Sequence, residues 1–432
     1  MRLKPFVILF ACFVLIGASS LFGAPAKKQK EKLPPLTSIN FIDRSGVSET
    51  IQSGERLKQY QDVDFFRPQS YQRVTRVFAR NSKGEQKSII TSYHANGQIK
   101  QYIEALNQSA MGPYYEWHEN GQLKLRVYVI GGLADLGPSS AQTWLFDGLA
   151  DAYDDKGRLL AEISYTKGVL EDESLYYHTN GKIHKKVPFS QGKIHGTLEI
   201  YHPDGKLFQK IQYEDDKKTG PLYGYWPNGK LAAQETYKLD RLMEGKYYDK
   251  NEKEIAGVKN GKGVRAIFNE NRLLSLNEIN NGIVEGEIKE FDKNGILTSS
   301  YRIKNGLKHG EEIEYYSFEE VGKEGVKHLS INWHDGKIQG VTKTWFSNGV
   351  LESQREMSEN VKNGILTAWY ENGNMMMLEE YEKDKLVKGK YFKKGDRTAV
   401  SEVKDGKGIA TLFDPSGNFL RKINYQQGKP VE

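Results

Sequence analysis

One phrase recurs along this chain of 432 residues: an aromatic residue, three mostly polar residues, a glycine, and an apolar residue two positions further on. It reads Tyr177-His-Thr-Asn-Gly181-Lys-Ile183, then Tyr201-His-Pro-Asp-Gly205-Lys-Leu207, then Tyr225-Trp-Pro-Asn-Gly229-Lys-Leu231, with successive glycines 24 residues apart. Self-similarity at a period of about 20–50 residues marks an array of units that pack on their neighbours, so chain length counts repeats and not domains. It also lowers the expectation of an enzyme.

With the turn glycine as position zero, the frame is followed at Gly97, Gly121, Gly157, Gly181, Gly205, Gly229, Gly295, Gly349, Gly373, Gly395 and Gly417. Two units keep the frame without the glycine, Tyr248-Asp-Lys-Asn-Glu252 and Phe268-Asn-Glu-Asn-Arg272. Position −4 is aromatic throughout, from Tyr93 and Trp117 to Tyr391 and Phe413. Asn-Gly or Asp-Gly between alternating apolar residues is a strong hairpin signal, because a type I′ turn needs positive φ at both central residues. Each unit is therefore expected to be a β-hairpin closed by such a turn. The aromatic at −4, the branched residue at +2 and a second aromatic at +8 (as in Phe189, Tyr213, Tyr237 and Tyr381) stand at even spacing, which predicts that they share one face. A looser turn, as in Gly192-Lys-Ile-His-Gly196, links one hairpin to the next. The fold class is all-β: an elongated array of antiparallel β-hairpins in a single-layer meander, on the order of 130 Å long at about 4.8 Å per strand.

Two inserts break the period, one near 131–142 around Gly131-Gly-Leu-Ala-Asp-Leu-Gly-Pro, the other near 317–328, beside a degenerate unit at Tyr315-Tyr316. Repeat proteins carry such insertions as loops on one side, often the binding side.

The chain opens Met1-Arg-Leu-Lys4, continues with an apolar run from Pro5 to Gly23, and then reads Ala24-Pro25-Ala26. That order is a secretory signal peptide over 1–26 and implies export, to a periplasm, an envelope or the medium. The alternative is an uncleaved anchor, since about 19 apolar residues also reach across a bilayer. The only cysteine, Cys12, lies in this run, so the mature chain has no disulfide and no thiol nucleophile. Residues 27–76 read as a linker and N-terminal cap, and 77–432 as the repeat array. With 62 basic and 56 acidic residues, a net +6 and no long block of one sign after residue 33, nucleic acid is not an expected partner.

The clearest units, Gly220-Pro-Leu-Tyr-Gly-Tyr-Trp-Pro-Asn-Gly-Lys-Leu-Ala232 and Asn363-Gly-Ile-Leu-Thr-Ala-Trp-Tyr-Glu-Asn-Gly-Asn-Met375, resemble the bacterial variant of the MORN repeat. The resemblance covers roughly 77–428 and implies a MORN-like single-layer meander used as an interaction module. Some proteins with this repeat are grouped as antitoxins. The motif residues are turn and stacking positions, so the resemblance implies no catalytic residue.

Metalloprotease, nucleophile-elbow and phosphate-loop signatures are absent from the sequence, and no cofactor, metal or small-molecule substrate is expected. His94, His118, His178 and His202 recur beside the aromatic, but equivalent positions two strands apart lie about 10 Å from each other, too far to share one ion. They read as solvated turn flanks, and Glu214-Asp215-Asp216 and Glu311-Glu312 as solvated edges. The aromatics Tyr176, Trp226 and Tyr370 are expected to point away from the main ladder and form a contact surface. The reading is a non-enzymatic exported scaffold for an unknown protein partner along an extended sheet. The alternatives are toxin neutralisation, a membrane-surface scaffold using Lys182, Lys206 and Lys230, or a glycan-binding scaffold.

Overall fold

The computed structural model describes residues 34–269 and 271–431; residues 1–26, expected to be a signal peptide and containing Cys12, and residues 27–33 of the linker lie outside the described residues. All the described strands belong to one sheet in which neighbours run antiparallel. The first elements are β1 (Leu36–Asp43), β2 (Ser48–Ile51), α1 (Gly54–Lys58), β3 (Gln72–Arg80), β4 (Gln86–Tyr93), β5 (Ile99–Leu106), β6 (Ser109–Trp117), β7 (Leu123–Gly131), α2 (Pro138–Ala141) and β8 (Leu145–Tyr153). β1 lies between β2 and β3, so the N-terminal cap extends the array's own sheet.

The turns differ from expectation in a way that reorganises both faces. At Trp226–Lys230 the Gly229 N–H donates to the Trp226 carbonyl at 2.8 Å and the Trp226 N–H to the Lys230 carbonyl at 2.9 Å. Gly229 has φ +84°, while Asn228 is not among the residues with positive φ. This is a type I turn followed by one left-handed glycine, the longer hairpin class, and not type I′. All eleven frame glycines have φ between +77° and +98°. The type I′ turns sit at the other edge of the sheet, where the sequence reads as a loose connection: Asp215 and Asp216 have φ +49° and +68°, Leu239 and Asp240 +50° and +66°, Asn281 and Gly282 +51° and +76°.

The glycine turn leaves one extra residue on the outgoing strand. Gly224 pairs with Ala233, but Tyr225 pairs with Leu231, so Ala232 has no partner; Tyr201 and Leu207 repeat the pattern. A bulge of this kind breaks the period of two. The −4 aromatics consequently face away from positions +4, +6 and +8, and the single aromatic face expected from even spacing does not exist. At Tyr391 the frame is also one residue off: the pairing shift falls between Tyr391 and Phe392, which makes Phe392 the true −4 residue and Tyr391 a core residue.

The core runs along the face that carries +4, +6 and +8, here called face A. Its deepest row is the cross-strand pair of positions −7 and +6: Tyr114 with Val127, Leu198 with Ile211, Leu222 with Glu235, Leu366 with Glu379. All eight side chains are buried. Each apolar member contributes about 1.5–3 kcal/mol on leaving water, and the gain is distributed over neighbouring rungs because no deep centre exists.

Near the N-terminus both faces are covered. The insert after β7 folds onto face A, where Trp144 stacks 4.8 Å from Tyr114 and donates its indole N–H to the Leu133 carbonyl. The cap lies on the opposite face B, with Ile39, Ile51, Leu57 and Phe65 packed around Val77, Ile89 and Tyr102. The second insert forms a short capped helix, Phe318–Val321, at the glycine-turn edge between Tyr315 and Lys327, so the two inserts occupy opposite edges and not one side.

Candidate functional site

Trp226 and Tyr370 occupy position −3, inside the glycine turn, and are buried, at 3% and 0% exposure. Neither offers a surface to a partner, which corrects the expectation from parity. Tyr176 stands one residue before its −4 aromatic, on face A, half-buried against the cluster around Val187. The three residues therefore form no common surface.

In six units position −3 is instead a clamp between successive turns. The Trp226 indole N–H donates to the Tyr248 carbonyl at 3.2 Å, the Tyr370 hydroxyl to Phe392 at 2.6 Å, and the Tyr316 hydroxyl to Trp345 at 2.7 Å. His94, His118 and His178 bring Nε2 to the carbonyls of Trp117, Tyr153 and Tyr201 at 2.9, 3.1 and 2.9 Å. In every case the acceptor is the −4 residue of the next unit. These histidines are structural links and not solvated flanks. The turn asparagines add a second link, from Asn96 to the Glu119 carbonyl and from Asn180 to the Pro203 carbonyl, both at 2.7 Å.

The turn lysines are engaged in the same ladder. Lys182 reaches the Asp204 carbonyl at 2.6 Å, Lys206 the Pro227 carbonyl at 2.9 Å, and Lys230 pairs with Glu252 at 3.0 Å. At the other edge Asp216 accepts from the Ile194 N–H, and Asp240 from the Lys218 N–H, each 2.8–2.9 Å away. Glu312 is buried, held by Lys308 at 2.5 Å and the Trp333 indole at 2.6 Å, so it is no solvated edge.

Face B carries a stripe of its own. Tyr153, Tyr177, Tyr201, Tyr225 and Tyr248 stand half-buried along it at position −4, interleaved with a cross-strand row of charges in which Lys186 pairs with Glu199 and Glu199 with Lys210. The Tyr177 hydroxyl donates to Glu162 and the Tyr201 hydroxyl to Glu199 at 2.5 Å. Desolvation, followed by the acceptor carboxylate, pushes both phenols up to about 12, so they stay neutral donors at physiological pH. Lys186 lies over the Tyr201 ring, 5.9 Å from its centroid. On the first rungs this stripe is covered by the chain itself: Phe66 packs 4.5 Å from Tyr102 and 5.6 Å from Trp117. Beyond Trp117 the cap ends and the stripe continues uncovered by it.

Three segments match the MORN repeat variant: residues 194–215, 218–239 and 362–383. Each runs from one type I′ edge through a glycine turn to the next such edge, so the match falls on the hairpin seen here. No curated protein matches the chain. Among solved structures, the chain aligns with a Photorhabdus luminescens Tc holotoxin pore chain at 13% identity and a TM-score of 0.17, covering 86% of this chain and 24% of that one. It aligns with a porin-like protein from Bacteroides uniformis at 11% identity and a TM-score of 0.16, covering 64% and 94%. The chain thus spans about a quarter of the Tc chain.

Proposed function

We propose that this protein is a non-enzymatic, exported repeat scaffold that binds a protein partner along face B. The observation that carries the reading is the uncovered continuation of a stripe whose first rungs are occupied by an aromatic segment, Phe65-Phe66. A partner presenting aromatic side chains at strand spacing would use the same half-buried tyrosines, with Lys and Glu flanks fixing its register. Export rests on the basic, apolar, small-residue order of residues 1–26.

The test places a photo-crosslinking amino acid at Tyr177, Tyr201 or Tyr225, with the face A residue Phe189 as control, in cells expressing the full chain. The expected result is one discrete protein adduct from the face B sites in the exported fraction, competed by unlabelled protein. Equal labelling from both faces, or recovery of the chain in the cytoplasm only, overturns the proposal.

A further inference from the structure

The geometry points to a binding site for a small organic oxyanion at the N-terminal end of face A, in a cleft of about 770 Å³ between the cap, the first hairpin and the first insert. Its floor is a cross-strand row, Ile42, Val74, Ser92 and Gln101, contributed by β1, β3, β4 and β5 in order. Its roof is Asp135–Pro138, held down by Trp144 and by the Arg76–Asp135 ion pair at 2.9 Å.

Charge decides the ligand class. Four cations line the cleft, Arg44, Arg73, Arg76 and Lys100, against one carboxylate, Asp135, which Arg76 already engages. Arg44 is fixed by backbone carbonyls of Ser70, Ala95 and His94, so its charge is anchored without being cancelled. Arg73 and Lys100 are exposed and, among the described residues, have no carboxylate partner. Such a set attracts an anion and offers charge-assisted hydrogen bonds to its oxygens.

One further feature narrows the class. Ile42, Val74 and Leu136 give the cleft apolar wall, which suits a ring or short hydrocarbon body next to the charged group. The insert that sequence reading marks as an interruption thus serves as the lid of a built site, independent of the partner surface on face B.

The experiment is calorimetric titration of the purified chain with phenyl phosphate and with benzoate, with phenol as the uncharged control and the R73A/K100A double variant as the site control. Saturable binding of either anion is expected, with phenol and the double variant each weaker by about tenfold or more, the loss of two charge-assisted bonds. Both substituted residues are exposed, and an unchanged thermal melt confirms that the variant folds. The proposal is overturned if neither anion binds saturably, if phenol binds as well as the anions, or if R73A/K100A binds them unchanged.

Discussion

Trp226 donates its indole N–H to the backbone carbonyl of Tyr248, 3.2 Å away, and so joins one turn to the next across 22 residues of sequence. The Tyr370 hydroxyl repeats the bond to Phe392 over the same separation. Removing only the hydroxyl, in Tyr370→Phe, leaves a half-buried carbonyl without its donor and should cost about 1 kcal/mol. Trp226→Ala adds a cavity and should cost about 3–5 kcal/mol. Denaturant titration measures both. Hydrogen exchange should place the loosening in the units flanking each turn, because contacts in an array are nearest-neighbour.

Much of the fold is legible in the sequence: the 24-residue period, the hairpins and the stacking all follow from the aromatic-to-glycine frame. The faces were not. Parity arguments assume an unbroken period of two, and the residue left over at Ala232 or Phe208 breaks it just where the −4 aromatic is placed. A glycine alone cannot reveal which turn it serves, since type I plus a left-handed residue and type I′ both need it. The signal that distinguishes them is the residue pair at the other edge, where Asp215-Asp216 and Leu239-Asp240 hold both φ positive without any glycine. The position −3 clamp is visible in sequence only as a scatter of His, Trp, Tyr and Phe over most units, while Asp154, Asp249, Asn269, Asp292 and Asp414 stand there in others and accept from N–H groups of their own turn.

A buried ionic cluster distinguishes two copies of one module. Glu235 accepts from the Tyr237 and Tyr247 hydroxyls at 2.8 and 2.7 Å and pairs with Arg265 at 2.7 Å. Glu379, Tyr381 and Tyr391 recur 144 positions later with the same hydroxyl bonds, but Ala410 stands two residues after Gly408 where Arg265 follows Gly263. Arg265→Ala should therefore destabilise by about 3–5 kcal/mol, because a carboxylate adapted to its cation is left buried without it. Glu235→Gln paired with Arg265→Met should recover part of that loss. Equilibrium unfolding of the single and double variants checks the coupling.

The His178 ring, in the turn, lies 4.3 Å from the His184 ring on the outgoing strand. Desolvation, then repulsion from His178 and Lys185, pushes His184 down to about 4. A histidine with folded pKa below its unfolded value of about 6.5 holds fewer protons when folded, so its contribution is complete above pH 6.5 and is lost as pH falls toward 4. His184 is half-exposed, which reduces the effect to on the order of 1 kcal/mol after solvent screening. Stability measured between pH 7 and 4.5 should fall less steeply in His184→Phe than in the native chain. Parallel curves would show that the pair does not titrate as described.

Two glycines with positive φ should respond very differently to alanine. Gly229 closes a hairpin at φ +84° with nothing within 4 Å of an added Cβ, so Gly229→Ala carries only the left-handed penalty, about 1–2 kcal/mol. Gly263 has φ +144° and sits on the strand beside Arg265, where a Cβ would overlap the Gly257 carbonyl and press on the Val258 backbone at 3.0 Å. Backbone cannot yield as a side chain tip can, so Gly263→Ala has to separate two hydrogen-bonded strands, those of Glu254–Lys259 and Lys262–Phe268. The expected outcome is a loss well beyond that of Gly229→Ala, together with raised hydrogen exchange at Val258 and Lys259. Gly408, with φ +146° and the same clash against the Glu402 carbonyl, should behave alike, since it is the equivalent position in the second copy. Equal, small losses at Gly229 and Gly263 would mean that the close strand approach at Gly263 is not required for the array to stack.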